Sequence, residues 1–310
     1  MGGLLSELGK KLAERWLSLL VLPGAFFLAA VGTAFTLGHA HALDSGLLIR
    51  QISVHAESRT VTSTGGRAMI LAAVLAGSAA AGTAVQALGS FIERITLAAG
   101  WQAWPSSATS VLRRWVAYRQ RAWDAADTEH RRASSDELTS TPADLPDPAT
   151  RHRAARRRER IAPERPERPT WSGDRIHAAA IRLDHAFHLD LATVWPHLWL
   201  VLPDEVRAQV TDARAALARA AATAAWSLLY ALLALSWWPA GLLTAGLALT
   251  ARHRVRAAAD AYAGLLETVT RLHATTLADH LGLEHTGPLT PVLGDVLTHH
   301  LQVRMPPALD

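Results

Sequence analysis

The sequence predicts an all-α integral membrane protein with four transmembrane helices, two spans plus a hairpin, carrying helical cytoplasmic extensions and a partly disordered Arg-rich loop. Three observations carry this. Three charge-free stretches are long enough to cross a bilayer. Apolar residues recur at three- and four-residue steps between them. Cations cluster beside the span ends that an even number of crossings places on one side. The 310 residues contain no Cys, which excludes a disulfide scaffold or a Cys-based zinc site. Lys stands only at positions 10 and 11; every other fixed cation is Arg, a bias typical of GC-rich bacterial coding.

The elements follow in order. Residues 1–15 form a cytoplasmic N-terminus with Lys10, Lys11 and Arg15. Residues 16–38 form the first span, since about 20 helical residues cover the hydrocarbon core. Ala40-His41-Ala42 would suit a signal-peptide cleavage site, but the preceding apolar run is longer than the roughly 7–15 residues of such a segment. Met1–Ser6 matches an N-myristoylation pattern, which in a bacterial chain is accidental. Residues 39–67 are the extracytoplasmic loop. Residues 68–92 form the second span, rich in Ala and Gly, where Ser78, Gly82 and Gly89 share a face on which helix backbones can approach closely.

Residues 93–219 are the cytoplasmic region. A helix over 107–132 presents Val111, Leu112, Trp115, Val116 and Trp123 as an apolar stripe, and Trp101 and Trp104 precede it. Ser, Thr and Pro then signal a disordered linker over about 133–168, which ends in an Arg run with local Glu partners at 159, 164 and 167. Pro203-Asp204-Glu205 starts a helix that runs into the third span, 220–237. Trp237-Trp238-Pro239 turns the chain into the fourth span, 238–251; a single bent span is the rival reading. Residues 252–310 are a helix, paired with the one before the third span, and a loop-like tail. Arg94, Arg113 and Arg114, then Arg207, Arg214 and Arg219, then Arg252, Arg254 and Arg256 place both termini in the cytoplasm, with the chain multi-pass in the inner (plasma) membrane.

Glu167-Arg168-Pro169-Thr170, Trp195-Pro196-His197-Leu198-Trp199 and Leu202-Pro203-Asp204-Glu205, followed by a membrane hairpin, resemble a group of bacterial multi-spanning integral membrane proteins of unknown function. The likeness covers roughly residues 164–282. It implies four spans and a cytoplasmic middle region, and it transfers no catalytic residue.

Catalytic motifs are missing: no Walker loop, G-x-G-x-x-G, H-E-x-x-H or G-x-S-x-G occurs. Asp184 and His188 would share a helix face beside His185 and Asp190, which suits a metal pair only if a third ligand comes from elsewhere. His299-His300 is weaker still. Asp124 and Asp127 read as solvated. The expectation is therefore no catalytic, cofactor or metal site. Span interiors without ionisable groups disfavour an ion-coupled transporter, and Thr33, Thr36, Gln86, Ser227 and Tyr230 are expected to make interhelical hydrogen bonds. The expected role is a non-enzymatic membrane scaffold, anchor or sensor partner acting through the cytoplasmic region. Expected partners are the lipid bilayer, anionic lipid headgroups at the Arg-rich loop, an unknown protein and a second copy of the chain. The alternatives are a homo-oligomeric channel or membrane-disrupting effector, and a membrane-bound enzyme using the His/Asp segment.

Overall fold

The computed structural model describes residues 21–56, 63–97, 100–103, 105–139 and 148–302. Among these residues the chain is all-helical, with ten α-helices and no strand. They are α1 (Leu22–Leu37), α2 (Ser45–Ala56), α3 (Thr64–Leu97), α4 (Ser106–Thr139), α5 (Pro148–Ile161), α6 (Trp171–Phe187), α7 (Leu191–Val201), α8 (Asp204–Ala234), α9 (Pro239–His280) and α10 (Pro291–Leu301). The chain divides into two compact units: residues 1–93 with 218–254, and residues 94–217 with 255–310.

In the first unit, α3 and α8 are long and apolar enough to cross a membrane, judged by length and composition. The helix α1 is apolar but shorter, with residues 16–20 of the expected first span outside the described residues. Small residues let these helices meet. Ser78, Gly82 and Gly89 are all buried. A Cβ on Gly24 would overlap the Ser78 carbonyl, and one on Gly89 would stand 3.2 Å from the Ala222 Cα. Phe27 packs against Trp226 and Tyr230, with ring centroids 5.9 and 5.4 Å away.

The chain between α8 and α9 turns back on itself. Pro239 has no N–H to continue α8, and its fixed φ suits the first position of α9. The Ser227 hydroxyl donates to the Thr244 carbonyl at 3.2 Å, across the turn. Trp237 Nε1 donates to the Ala42 carbonyl at 3.1 Å and ties the turn to the segment after α1. Ser227 is the expected interhelical bond that forms; Thr33 and Thr36 instead bond carbonyls of their own helix. Where a plain loop was expected over 39–67, α2 occupies Ser45–Ala56 and α3 already begins at Thr64, with the Asp44 carboxylate accepting from the Leu47 N–H at the start of α2.

The second unit holds a conventional apolar core. Leu189, Val194, Leu198, Leu202, Val210, Leu277, Leu293 and Leu297 pack together, with Trp195, Trp199 and Tyr262 against them. Val210 on α8 and Tyr262, Val269 and Leu277 on α9 meet in this core, as the paired extensions require. Side chains cap the helices: Thr170 for α6, Asp190 for α7 and Thr290 for α10 each accept a backbone N–H.

Two expectations need correction here. The disordered linker over 133–168 is largely helical: α4 runs on to Thr139 and α5 fills Pro148–Ile161, with 140–147 outside the described residues. The Arg run is ordered because its partners lie on α4 rather than nearby in sequence. Arg158 meets Asp127 at 3.0 Å, Arg157 meets Glu129 at 2.9 Å and Arg165 meets Asp124 at 3.1 Å. The loop-like tail contains α10, whose Leu293, Leu297 and Leu301 are buried one turn apart. Pro291 starts this helix rather than breaking it, because the first helical position needs no N–H. Pro306-Pro307 lies outside the described residues.

Candidate functional site

A ladder of donors on α4 organises the second unit's polar side. The connection between α5 and α6 lies along this helix with its carbonyls turned inward. Trp115 Nε1 donates to the Pro169 carbonyl at 3.0 Å, and Trp123 Nε1 donates to Ala162 at 3.0 Å. Between them, Arg119 donates to the carbonyls of Arg168 and Ile161, both at 2.6 Å, and Gln120 to Pro166 at 2.8 Å. Positions 115, 119 and 123 recur every four residues, so one helix face carries them. Trp101 Nε1 adds a bond to Glu167 at 3.1 Å. Trp115 and Trp123 of the apolar stripe, and Trp101 before it, thus hold a loop; Trp104 lies outside the described residues.

Asp174 closes this arrangement from α6. Its carboxylate accepts from Arg119 at 2.6 Å and from the Glu167 and Arg168 N–H groups at 3.0 and 2.8 Å. Burial pushes the Asp174 carboxyl above the ordinary carboxylate range, while Arg119 and the two backbone donors pull the other way. Gly173 presses on the carbonyls of Leu97 and Thr96, where a Cβ would stand 2.8 Å from the former. Arg168 donates to the Leu97 carbonyl, and burial lowers its own pKa. The Arg168-Pro169-Thr170 motif is therefore a structural clasp.

Behind the clasp, α5, α6 and α9 enclose an open cavity of about 390 Å³. Five guanidinium groups line it (Arg156, Arg160, Arg175, Arg182, Arg256) against two carboxylates, Glu159 and Asp260. Several are fixed in advance. Arg175 meets Asp260 at 2.5 Å and Glu267 at 3.0 Å, and Arg182 meets Glu267 at 2.5 Å. Arg256 lies 4.8 Å over the Trp171 ring, a stacking suited to its planar group. Trp171 itself donates to the Glu159 carbonyl at 3.1 Å. Arg156 and Arg160 form no ion pair among the described residues. The Nε of Arg182 is buried without a hydrogen-bond partner. The chemistry of such a site is the capture of an anion with several acceptor oxygens.

A second concavity of about 530 Å³ lies beside Trp195, Pro196, Trp199, Arg214 and Tyr262. It is mainly aromatic. Burial pushes the Tyr262 hydroxyl up, with Arg214 opposing.

The other singled-out residues separate. His188 ends α6 with a left-handed backbone (φ 51°), and its N–H donates to the Asp184 carbonyl. Asp190 caps α7, accepting from the Ala192 N–H and the Thr193 hydroxyl. Among the described residues no group of three His, Asp or Glu side chains is placed to hold a metal ion. His299 stands 3.6 Å from Asp295 on its own helix. Asp127 is a correction: it is only 4% exposed, not solvated. Burial would raise its carboxyl, but Arg131 and Arg158 outweigh that and hold it below the ordinary range.

Sequence reasoning found Arg156 and Arg160 as part of a charge run and Arg256 as a span flank. It missed Arg175, Arg182 and Asp260 as site residues. Only chain folding brings Arg175 to Asp260, 85 positions away. No family model, curated protein or solved structure matches this chain.

Proposed function

We propose that this chain is a non-enzymatic integral protein of the bacterial inner membrane, a scaffold, anchor or sensor partner that acts through its second unit. In this reading the first unit crosses the bilayer four times, with α1, α3 and the α8–α9 hairpin, and both termini are cytoplasmic. The resemblance to bacterial multi-spanning proteins points the same way. The partners are anionic headgroups at the Arg-rich segment, a further protein and a second copy of the chain.

The observation that carries the reading is the outer surface of the first unit. Phe35 is 85% exposed and Leu235 80%, and Phe26, Met69, Leu71, Leu232, Leu242 and Leu249 are also exposed. Water-soluble proteins rarely expose apolar surface so continuously, whereas lipid tails are a suitable neighbour for it. Orientation follows the excess of cations beside the span ends.

The lack of Cys makes the topology easy to test. Single Ser45→Cys and Ser134→Cys variants are treated with a membrane-impermeant maleimide on intact spheroplasts. Ser45→Cys should label from outside, and Ser134→Cys only after permeabilisation. Equal labelling of both in intact spheroplasts, or recovery of the protein in the soluble fraction, overturns the reading.

A further inference from the structure

We propose that the arginine cavity between α5, α6 and α9 binds a phosphate group, either the headgroup of a lipid or part of a small soluble ligand. This narrows the anionic partner of the proposed function to one chemistry and one place, and it rests on that reading for the sign of the partner's charge.

The donor set decides the chemistry. A guanidinium presents a planar fork that matches phosphate or carboxylate oxygens two at a time. Five guanidinium groups converge on one cavity, two of them (Arg175 and Arg182) already sharing Asp260 and Glu267, and phosphate offers three or four acceptor oxygens where a carboxylate offers two. The two carboxylates on the wall do not neutralise the cavity. Asp260 and Glu267 bind Arg175 and Arg182 from the side and hold them in place. Holding donors in position before binding lowers the ordering cost of capture. Arg256 is likewise held by the Trp171 ring and by its bond to the Arg160 carbonyl at 3.4 Å.

Arg156 and Arg160 supply the exposed half. They project from successive turns of the end of α5, and Arg156 reaches only its own helix, at the His152 carbonyl. Arg182 reaches the cavity from α6, its guanidinium held by Glu267 at 2.5 Å. The volume, about 390 Å³, suits a headgroup or small phosphorylated molecule rather than a folded partner.

The test uses the full chain in non-ionic detergent. Binding is measured by calorimetry with inorganic phosphate, with short-chain phosphatidic acid in mixed micelles, and with phosphatidylglycerol of equal chain length. The expected result is saturable binding of phosphatidic acid or inorganic phosphate, with phosphatidylglycerol weaker because its diester phosphate has fewer free oxygens. Arg156→Gln/Arg160→Gln should weaken it at least about tenfold, as loss of charged hydrogen bonds implies, with an unchanged melting temperature. Arg156→Lys/Arg160→Lys, which keeps the charge and loses the fork, should fall between. Arg113→Gln/Arg114→Gln is the charge-matched control and should bind normally. Phosphatidic acid alone binding assigns a lipid headgroup; inorganic phosphate binding as well assigns a soluble phosphorylated ligand. Failure of both phosphatidic acid and inorganic phosphate to bind, or equal weakening by both Gln double variants, overturns the proposal. Membrane fractionation of the same cells is read separately, so failure of the site and failure of membrane insertion are distinguished.

Discussion

The two units are built from the same kind of helix and held together in opposite ways. In the first, close contact comes from residues with almost no side chain: Gly24 against Ser78, Gly89 against Ala222, Ala34 and Ala240 beside Leu233. Many of its large apolar side chains, Phe35 and Leu235 most of all, are exposed. In the second, Leu and Val side chains fill the interior, and buried polar groups bind the loops. A water-filled surrounding rewards the second arrangement, because it drives large apolar groups inward. In the bilayer proposed for it, the first arrangement would gain little from that drive and would depend on backbone approach and dispersion. Burial fraction alone does not measure how well a helix is held.

The largest expected effect tests the polar side of the second unit. Asp174→Ala leaves Arg119 buried without its charge partner and two N–H groups unpaired, which should cost about 3–5 kcal/mol. Denaturant unfolding followed by Trp fluorescence measures it, and an Arg119→Met/Asp174→Leu pair should recover only the part due to the unpaired buried charge, because the Glu167 and Arg168 N–H groups and the Arg168 and Ile161 carbonyls stay without these partners. A cost no larger than that of an exposed ion pair would mean that the clasp does not hold this unit.

Next in size is the small-residue contact of the first unit. Gly24→Ala forces a Cβ into the Ser78 backbone and should cost about 1–3 kcal/mol. Gly32→Ala meets nothing within 4 Å and should be neutral or gain up to about 1 kcal/mol of helix propensity. Thermal stability in detergent separates the two, and equal effects would remove backbone approach as the explanation.

Smaller again is the helix cap of α10. Thr290→Ala removes the acceptor for the Leu293 N–H and should cost about 1 kcal/mol by denaturant unfolding. The smallest effect is a pH dependence. Asp127 is held below its ordinary value of 3.8, so the unfolded chain takes up this proton first as pH falls. Its stabilisation is present above about pH 4 and is lost as pH falls through its lower folded value. Asp127→Asn should flatten acid unfolding in that window and leave the profile at neutral pH parallel to the parent's.

How much of this was legible in the sequence follows from the range of each interaction. The helix start at Pro203-Asp204, the break before Pro239 and the face of Ser78, Gly82 and Gly89 are local patterns, and each has its counterpart in the structure. The order of residues 148–170 was not legible. Eight arginines between 151 and 168 read as a solvated run until α4 supplies Asp124, Asp127 and Glu129 from the other side. The tail differs from the expected loop for another reason: Pro291 follows the capping Thr290 and so starts a helix. Half of the arginine cavity was visible as composition, but its convergence depends on α9 returning to α6.

The second unit is interrupted by residues 218–254 and is completed only by α10. Gly294 lies so close to Phe187 that a Cβ would overlap its carbonyl, and Thr298 bonds both His188 and Asp190, more than a hundred positions earlier. A ribosome must therefore deliver the whole hairpin before it delivers the helix that closes this core. During that interval, Leu189, Val194 and Leu198 have no lid. Such an interval exposes a nascent chain to aggregation and to chaperone capture. A tag or stop codon placed before Leu301 would prolong it indefinitely, whereas one placed after Gln302 would not.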